Sequence, residues 1–548
     1  MLFNRRKNLL LLSILLLFVA SLVGGGLAAQ DMSTLVIALA GSPPTFDPLA
    51  ASDSRVDTPS INLYNTLLQY LPGVTEWELE LAESYEQAED GLSYTFTLKP
   101  GVMFHDGTEI LAEDVKYTVD RLVAVNIGVA RSLVMVTGAE VIDDYTVRIN
   151  LATPFPGFLG ALSRLYILNS ELVQANTVDD DWGQTWLQNN DAGSGPYVLT
   201  SFTPEQEFTI ERFDDYFKGW EGNHVDRAIF VVIKEESTRR LSLENGDSHW
   251  IQVGSPETLD ALSENPAYNI NTDPTLNQLY FAMNSRHPIL SDARVRKALS
   301  LVYDFEGHVE LARNGYAAIA KGVLPPGIVC FDASQPESAM DVEAAQALMA
   351  EAGYADGGFE LTMAYQGTSP EETAAMQIMQ AGAAQLGVTI RPMAIEWPAK
   401  VQAYSSQETA PDVGTVWMFP SLPDPDQFFG RLGHSSQGGG GGINFSWYSN
   451  ADNDALLEAG KVELDPEARC EIYKQVQEIW NAETPYVNVV VGMALSASHA
   501  NVKGYRWSPP HSYTQNVYQI YFDDVGRRAA MPLPPQNNLR HAMFCSPP

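Results

Sequence analysis

The fold is decided by residues 359–392, which read FELTMAYQGTSPEETAAMQIMQAGAAQLGVTIRP. This stretch begins with a predicted strand, Phe359–Tyr365, and ends with a second one, Val388–Pro392. Between the strands, apolar residues recur at the spacing of one helical face, namely Met376, Met379, Ala383 and Leu386. Gly387 then ends the helix. A strand, a helix and a second strand form a βαβ unit, so the sequence predicts an α/β protein with parallel strands.

The following stretch, residues 412–432, reads DVGTVWMFPSLPDPDQFFGRL and joins a predicted strand to a stiff loop. Trp417 lies in the strand, and three prolines then restrict the loop backbone. Aromatic side chains such as Trp417 and Phe419 at a strand end offer a small molecule a large contact area at little entropic cost. The alternative is a surface loop with a core tryptophan, because aromatic residues are often buried.

Two further strand ends carry candidate binding residues. Leu35–Leu39 is typical of a buried strand and leads into a proline-rich loop that contains Thr45 and Phe46. Leu279–Met283 is a second apolar strand, and Asn284 follows it directly. Open α/β sheets bind ligands beyond the ends of their strands. An ordinary turn explains Thr45 and Phe46 equally well.

The length and composition indicate a globular protein of several domains. A chain of 548 residues is too long for one hydrophobic core, so we expect two or three domains. Hydrophobic residues make up 45% and charged residues 18% of the chain. The formal charge of −35 produces a surface that repels nucleic acid and anionic lipid head groups. No nucleic-acid partner is therefore expected.

The N-terminus has the three regions of a secretory signal peptide. The basic residues Arg5–Lys7 precede the apolar run Leu9–Val23, and small residues follow as far as Ala29. We predict cleavage near Ala29 and export to the periplasm or the cell-surface space as a soluble protein. An uncleaved anchor is the alternative, although this apolar run is short for a membrane span. Residues 526–548 are predicted to be a surface tail.

The three cysteines are Cys330, Cys470 and Cys545. Export permits a disulfide, but three cysteines leave one unpaired. Cys470 lies in a strongly predicted helix, whereas Cys330 and Cys545 both follow irregular segments. We therefore predict a possible Cys330–Cys545 disulfide. No spacing resembles a zinc site.

The sequence contains no recognisable catalytic motif. The nine histidines are dispersed, and neither His-Glu-x-x-His nor Gly-x-Ser-x-Gly is present. Asp424 and Asp426 could be the carboxylate pair of a secreted glycoside hydrolase, but closely spaced acids in loops are usually solvated. We predict no catalytic residue, no cofactor and no metal. A hydrolase and a structural surface protein remain alternatives from other classes.

Between residues 35 and 525 the chain resembles family 5 extracellular solute-binding proteins, the peptide- and nickel-binding receptors of ABC importers. The matching motifs occur in the order and at the spacing of that family. They are Pro44–Pro48, Tyr94–Lys99, Phe104–Gly107, Glu113–Val115, Gly195–Tyr197, Asp292–Leu299, Leu324–Gly327 and Asp424–Asp426. Each motif alone is weak, and their combination is specific.

This resemblance implies a two-lobed, periplasmic-binding-protein type II-like fold with an extra inserted domain, the cluster C type. The implied lobe 1 combines residues 30–59, 169–276 and 491–525, with the inserted domain at 60–168, and lobe 2 comprises residues 277–490. Two strands would cross between the lobes near Pro274 and Val491. The ligand would be enclosed when the hinge closes.

The resemblance also implies a position for the ligand. Peptide-binding members hold the free amine with an aspartate shortly before the Asp-Pro-Asp motif, and Ser421 occupies that position here. A hydroxyl cannot neutralise an ammonium, and losing a buried ionic partner costs a few kcal/mol. Asp424 is the candidate substitute. Apolar contacts are expected from Trp417, Phe419 and Phe46, hydrogen bonds from Ser421, Thr45 and Asn284, and a further contact from Tyr365.

The implied function is that of a non-catalytic, monomeric receptor. It would bind a peptide or a similar small solute and deliver it to the permease subunits of an ABC importer. The neutral Ser421 beside aromatic residues also suits an oligosaccharide, which remains the alternative ligand. A metal chelate fits less well, because the quoted loops contain no histidine at the expected contacts.

Overall fold

The computed structural model of the chain describes residues 33–50, 54–71, 75–508 and 515–523. The predicted signal peptide (1–29) and C-terminal tail (526–548) lie outside these ranges and stay predictions. Within the described ranges, no helix has the length and apolar character that crossing a membrane requires.

The strands are β1 (Thr34–Leu39), β2 (Leu68–Tyr70), β3 (Trp77–Leu79), β4 (Ala82–Gln87), β5 (Ser93–Leu98), β6 (Val136–Asp143), β7 (Thr146–Leu151), β8 (Tyr197–Thr203), β9 (Glu207–Arg212), β10 (Arg227–Val232), β11 (Trp250–Gln252), β12 (Tyr268–Met283), β13 (Ala317–Ile319), β14 (Glu360–Tyr365), β15 (Thr389–Ala394), β16 (Val413–Met418), β17 (Tyr486–His499), β18 (Val502–Lys503) and β19 (Tyr521–Phe522). The α-helices are α1 (Ser54–Leu63), α2 (Ala112–Val125), α3 (Phe158–Leu162), α4 (Ser170–Ala175), α5 (Glu236–Glu244), α6 (Pro256–Ser263), α7 (Ala293–Leu301), α8 (Phe305–Arg313), α9 (Val342–Glu351), α10 (Pro370–Ala384), α11 (Trp397–Ala403), α12 (Phe429–Gly433), α13 (Ala451–Val462) and α14 (Pro466–Glu483).

One mixed sheet forms the centre of the molecule. Its strand order is β15-β14-β16-β12-β17-β11-β1-β10-β9-β8, with β13 also paired to β17. Strand β14 is parallel to β15, and α10 connects the two. Met376 and Met379 of α10 are 4% and 1% exposed, because they pack on the sheet. The predicted βαβ unit and the α/β class are thus confirmed.

A long antiparallel pair of strands, β12 with β17, joins the two halves of this sheet and is called the crossover ribbon below. At one end of the ribbon β17 pairs with β11, and at the other end β12 pairs with β16. The ladder changes register between Pro274, opposite Met493, and Gln278, opposite Val491. This change of register lies near Pro274 and Val491, where the resemblance implied a crossing between lobes, and the crossing itself stays a prediction.

A separate antiparallel sheet has the order β4-β5-β7-β6 and packs against α2. Phe96, Val115 and Ile149 contribute fully buried side chains to its core. Buried and half-buried positions alternate along β5, so one face of this strand is directed at the core. Leu422, from the loop after β16, also packs into this core. The exact residue boundaries of the two lobes stay predictions.

The predicted disulfide is wrong. Cys330 is bonded to Cys470, and Cys545 lies outside the described residues. Cys470 was set aside because it lies in a helix, but it occupies the first turns of α14, where a loop can approach its side chain. The backbone N–H of Val329 donates to the carbonyl of Pro423, which holds the Cys330 loop beside the loop that follows β16.

Candidate functional site

The indole of Trp417 lies against the crossover ribbon. Trp417 is near the carboxyl end of β16, the strand that pairs with β12. A Cβ placed on Gly492 would lie 3.4 Å from two ring atoms of Trp417 and 3.6 Å from the hydroxyl oxygen of Thr275. The Thr275 hydroxyl donates to the carbonyl of Gly492 at 2.8 Å and so ties the two ribbon strands together beneath the ring. Trp417 therefore lies where the two lobes are joined.

Phe419 extends this aromatic surface toward solvent. Its ring centroid is 6.1 Å from that of Trp417, and the two ring planes are inclined by 30°. The Phe419 side chain is 60% exposed, whereas Trp417 is half-buried. An exposed ring next to a partly buried one leaves apolar area that a solute can cover. The structure thus brings these two predicted residues together, and their contact with a ligand stays a prediction.

Ser421 lies between the two lobes, in the cleft loop (Phe419–Gln427). Its hydroxyl accepts a hydrogen bond from the Ser132 hydroxyl at 2.9 Å and donates one to Gln427 Oε1 at 3.1 Å. Its carbonyl accepts a hydrogen bond from Arg164 Nη1 at 3.4 Å. Ser132 and Arg164 belong to the segment between β5 and β8, so these bonds connect lobe 2 to the opposite side of the cleft. The loop is therefore a contact across the cleft as well as a candidate ligand wall.

Asp424 does not provide the free carboxylate that the sequence suggested. It is 4% exposed, and its two oxygens accept hydrogen bonds from Arg469 Nη2 and Nη1 at 3.0 and 2.9 Å. One of these oxygens also accepts from the backbone N–H of Asp426. A carboxylate with a buried bidentate guanidinium partner is already neutralised. Asp424 is a structural residue, and sequence reasoning missed its partner because Arg469 lies in α14, remote in the chain.

Asp426 is half-buried, beside both acidic and basic groups. The pKa of its carboxyl group is raised to about 6, chiefly by burial; Asp424 also raises it, whereas Lys461 and Arg469 lower it. Its Oδ1 atom has no hydrogen-bond partner among the described residues. Asp424 and Asp426 are thus not an acid and a nucleophile facing a substrate, since Asp424 is bound to Arg469. This geometry removes the basis for the glycoside hydrolase alternative.

Thr45 and Phe46 contact other parts of the protein. The Thr45 hydroxyl accepts from the backbone N–H of Asp47 at 3.0 Å and donates to the carbonyl of Leu187 at 3.3 Å. Phe46 is 1% exposed, and its ring centroid lies 4.9 Å from that of Phe202. Both residues therefore stabilise a turn over the hydrophobic core that contains β1. Burial of Phe46 argues against a ligand contact by that ring in this conformation, and the role of Thr45 stays a prediction.

Asn284 is buried and lies away from Trp417, and its contact with a ligand stays a prediction. It follows β12 next to the amino end of β16, because Met283 pairs with Val413. Trp417 lies toward the opposite end of β16. Asn284 is 4% exposed, and its side-chain oxygen accepts from the backbone N–H of Arg286 at 3.0 Å. It forms a turn on the far side of the lobe, because β12 runs antiparallel to β16.

Tyr365 stays a candidate contact. It ends β14, which is parallel to β16 with Ala364 opposite Gly414. Tyr365 and Trp417 therefore project from the same face of the sheet at the same edge. Both side chains are half-buried against the same core. Tyr365 thus belongs to the same surface as Trp417, one strand farther from the ribbon.

The ribbon carries an acidic residue that the sequence argument did not select. Asp273 pairs with Ala494 in the ladder, and its side chain is half-buried. Burial raises the pKa of its carboxyl group. The only sequence signal was its position next to Pro274, where the chain was expected to cross between lobes.

A second concavity lies away from this surface. A cleft of about 490 Å³ is lined by residues 104–106, 169, 172, 186, 189–193 and 198–202. Two of its polar side chains, His105 and Asp191, are bonded to each other at 2.7 Å. None of the predicted binding residues lines it. Among the residues that the structure describes, no group of three His, Cys, Asp or Glu side chains could hold a metal ion.

The chain is similar to several proteins of known family. It is 28% identical over 505 residues to "Heme-binding protein A" of Haemophilus influenzae, covering 88% of this chain and 91% of that protein. It is 28% identical over 496 residues to "Probable D,D-dipeptide-binding periplasmic protein DdpA" of Escherichia coli, covering 89% and 94%. Among solved structures, HbpA2 from Haemophilus parasuis matches with a TM-score of 0.81 and 25% identity, covering 89% of this chain and 100% of that one.

A family model provides the broadest assignment. The model described as "Bacterial extracellular solute-binding proteins, family 5 Middle" matches residues 76–440, which is more than half of the chain. The matched region includes β14, β16 and the cleft loop. The chain therefore belongs to the bacterial extracellular solute-binding proteins of family 5.

Proposed function

We propose that this protein is the extracytoplasmic receptor of an ABC importer and that it binds a peptide or a similar small solute between its two lobes. The observation that carries the proposal is the position of Trp417 and the exposed Phe419 beside the crossover ribbon. A solute held there would contact the joint between the lobes. The similarity to a D,D-dipeptide-binding periplasmic protein supports a peptide-like ligand.

In this proposal, binding is coupled to closure of the lobes. The ribbon is the connection about which the lobes would rotate, with its register change between Pro274 and Gln278 as the place of bending. The bonds from Ser421 to Ser132 and Arg164 would form on closure and break on opening. A ligand shifts the molecule toward the closed state only by as much as it binds that state more tightly. The closed receptor would then dock on the permease subunits.

We propose the lobe boundaries 30–59, 169–276 and 491–525 for lobe 1, 60–168 for its inserted domain and 277–490 for lobe 2. Strands β1 and β8–β11 lie together in one half of the central sheet, whereas β14–β16 lie in the other half. The core around Phe96 is a separate cluster of buried residues. These groupings support the division, as does the role of the ribbon as the connection between sheet halves.

The receptor is proposed to act as a monomer, outside the cytoplasm and without catalysis. The signal-peptide pattern that ends near Ala29 supports export. The bonded state of Asp424 supports the absence of a hydrolytic carboxylate pair.

An oligosaccharide is the second candidate ligand. The supporting observation is the neutral Ser421 at the position where peptide-binding relatives of the family carry an acid. Aromatic rings such as Trp417 and Phe419 stack on apolar faces of ligands as readily as on peptide side chains. This alternative requires no charged group in the ligand.

Thermal unfolding of the mature protein, from Gln30 onward, distinguishes these candidates. The protein is heated with a mixture of di- to pentapeptides, with oligosaccharides, with hemin and with metal chelates in turn. A ligand at one hundred times its Kd stabilises the folded state by about 2.7 kcal/mol and raises Tm. A rise with peptides supports the main proposal, and a rise with oligosaccharides alone supports the second. Stabilisation by neither contradicts both.

A further inference from the structure

The carboxylate of Asp273 has no hydrogen bond or ion pair with any residue in the described ranges, although it is half-buried. The physical cause of its raised pKa is burial, and no neighbouring cation offsets that effect. An acid that is partly removed from water without a partner costs free energy in the empty protein. Such an acid at the joint of a binding protein is a candidate for a ligand contact.

Asp273 and Trp417 lie on the same face of the crossover ribbon. Asp273 is opposite Ala494 in the ladder, and Gly492 lies two residues before Ala494 on β17. Residues two apart in a strand project to the same face and are separated by roughly 7 Å. The Trp417 ring covers Gly492 and Thr275. Asp273 is therefore the next residue along the face on which the indole lies.

Among the residues that the structure describes, no charged group adds to the effect of burial on the pKa of Asp273. Asn271 donates to the hydroxyl of Ser496 at 3.0 Å on the same face. Burial raises the pKa of the Tyr505 phenol and the negative charge of Asp273 raises it further, so Tyr505 is close to the acid and remains neutral. Tyr505 in turn lies 6.0 Å from Trp250, measured between ring centroids. The acid is thus surrounded by hydroxyl, amide and aromatic groups that can line a polar subsite.

We propose that Asp273 receives the positively charged group of the solute, an ammonium for a peptide ligand, beside the indole of Trp417. This inference rests on the proposed function and specifies the ligand as one that carries a cation. A cation near an indole face gains from the ring quadrupole as well as from the carboxylate. The subsite differs in position from Ser421, whose hydroxyl is already engaged by Ser132 and Gln427.

The test compares a mixture of di- to tetrapeptides with the same mixture after acetylation of its amino groups. Thermal unfolding is recorded against total peptide concentration for the wild type, Asp273→Asn and the control Asp356→Asn, which removes an exposed carboxylate elsewhere. We expect acetylation to raise the half-saturating concentration by about tenfold to a hundredfold for the wild type and the control. For Asp273→Asn we expect the two mixtures to act equally.

The ligand-free Tm shows whether Asp273→Asn is folded, and we expect it to equal or exceed that of the wild type. If the wild type binds both mixtures equally, or if Asp273→Asn still prefers the free amine, the inference is overturned and the receptor function stands. If neither mixture stabilises the wild type, the peptide receptor function fails, and the Asp273 subsite fails with it.

Discussion

The ion pair between Asp424 and Arg469 allows a sharp test of whether Asp424 is structural. The side chains are 6% and 5% exposed, respectively. In Asp424→Asn the guanidinium of Arg469 would remain buried without its bidentate partner, and its remaining neighbours would be the Asp426 carboxylate and the ring of Tyr473, 5.2 Å away. Removing one member of a buried ion pair typically lowers the free energy of unfolding by about 3–5 kcal/mol. For a lobe of roughly 200 residues, this corresponds to a fall in Tm of about 6–20 °C.

The measurement is differential scanning calorimetry of the mature protein at neutral pH, with and without the peptide mixture. Glu478→Gln is the matched control, because it removes an exposed carboxylate on α14. We expect that control to change the free energy of unfolding by no more than about 0.5 kcal/mol. The double variant Asp424→Leu with Arg469→Met should recover much of the stability, because it leaves no buried charge.

The stabilisation by ligand separates a structural role from a binding role. We expect Asp424→Asn to retain the ligand-induced rise in Tm, measured relative to the ligand-free Tm of the same variant. An unchanged ligand-free Tm together with a lost ligand response would show that Asp424 binds the solute. That result would refute the assignment of the carboxylate to Arg469.

Three further predictions concern the aromatic surface, the buried acid and the disulfide. Trp417→Ala should weaken solute binding by about tenfold or more, because it removes the ring against the ribbon, and a binding titration with the peptide mixture that shows wild-type affinity would contradict this. For Asp426 the folded pKa of about 6 exceeds the usual value, so its contribution to stability falls as pH rises from about 4 to 6. Between pH 4 and 6 the free energy of unfolding, measured with urea, should therefore fall less in Asp426→Asn than in the wild type, by up to about 3 kcal/mol. An identical pH dependence of the two proteins would contradict this. Cys470→Ser should lower the free energy of unfolding by up to about 5 kcal/mol, because the bond to Cys330 closes a loop with a sequence separation of 140. A reductant should then lower the Tm of the wild type but not that of the variant, and equal sensitivity of the two would contradict this disulfide.

The sequence predicted those features that depend on local periodicity. The face containing Met376 and Met379 specifies α10, and the strands on either side of it specify a parallel crossover. Asp465 is the N-cap of α14, and its side chain accepts from the N–H of Ala468. Asp292 caps α7 in the same way. Such signals need only neighbouring residues, so they can be read without the tertiary structure.

The contacts that the sequence did not predict depend on partners distant in the chain. The sequence around Asp424 does not show that Arg469 is its ionic partner. The sequence around Phe46 does not show that its ring packs against Phe202. Asn284 follows a strand, but only the antiparallel pairing of β12 with β16 shows that it lies away from Trp417. Asp273 shows the converse, because nothing in its local sequence indicates that its carboxylate lacks a partner.

Hydrogen–deuterium exchange of the mature protein, with and without the peptide mixture, shows whether the solute binds beside the crossover ribbon. We expect ligand to slow exchange in residues 273–278 and 490–494 of the ribbon and in residues 413–427 around Trp417. Protection confined to residues 186–202, along the second cleft, would place the solute elsewhere and contradict the account. Unchanged exchange throughout, at peptide concentrations that raise Tm, would also contradict binding between the lobes.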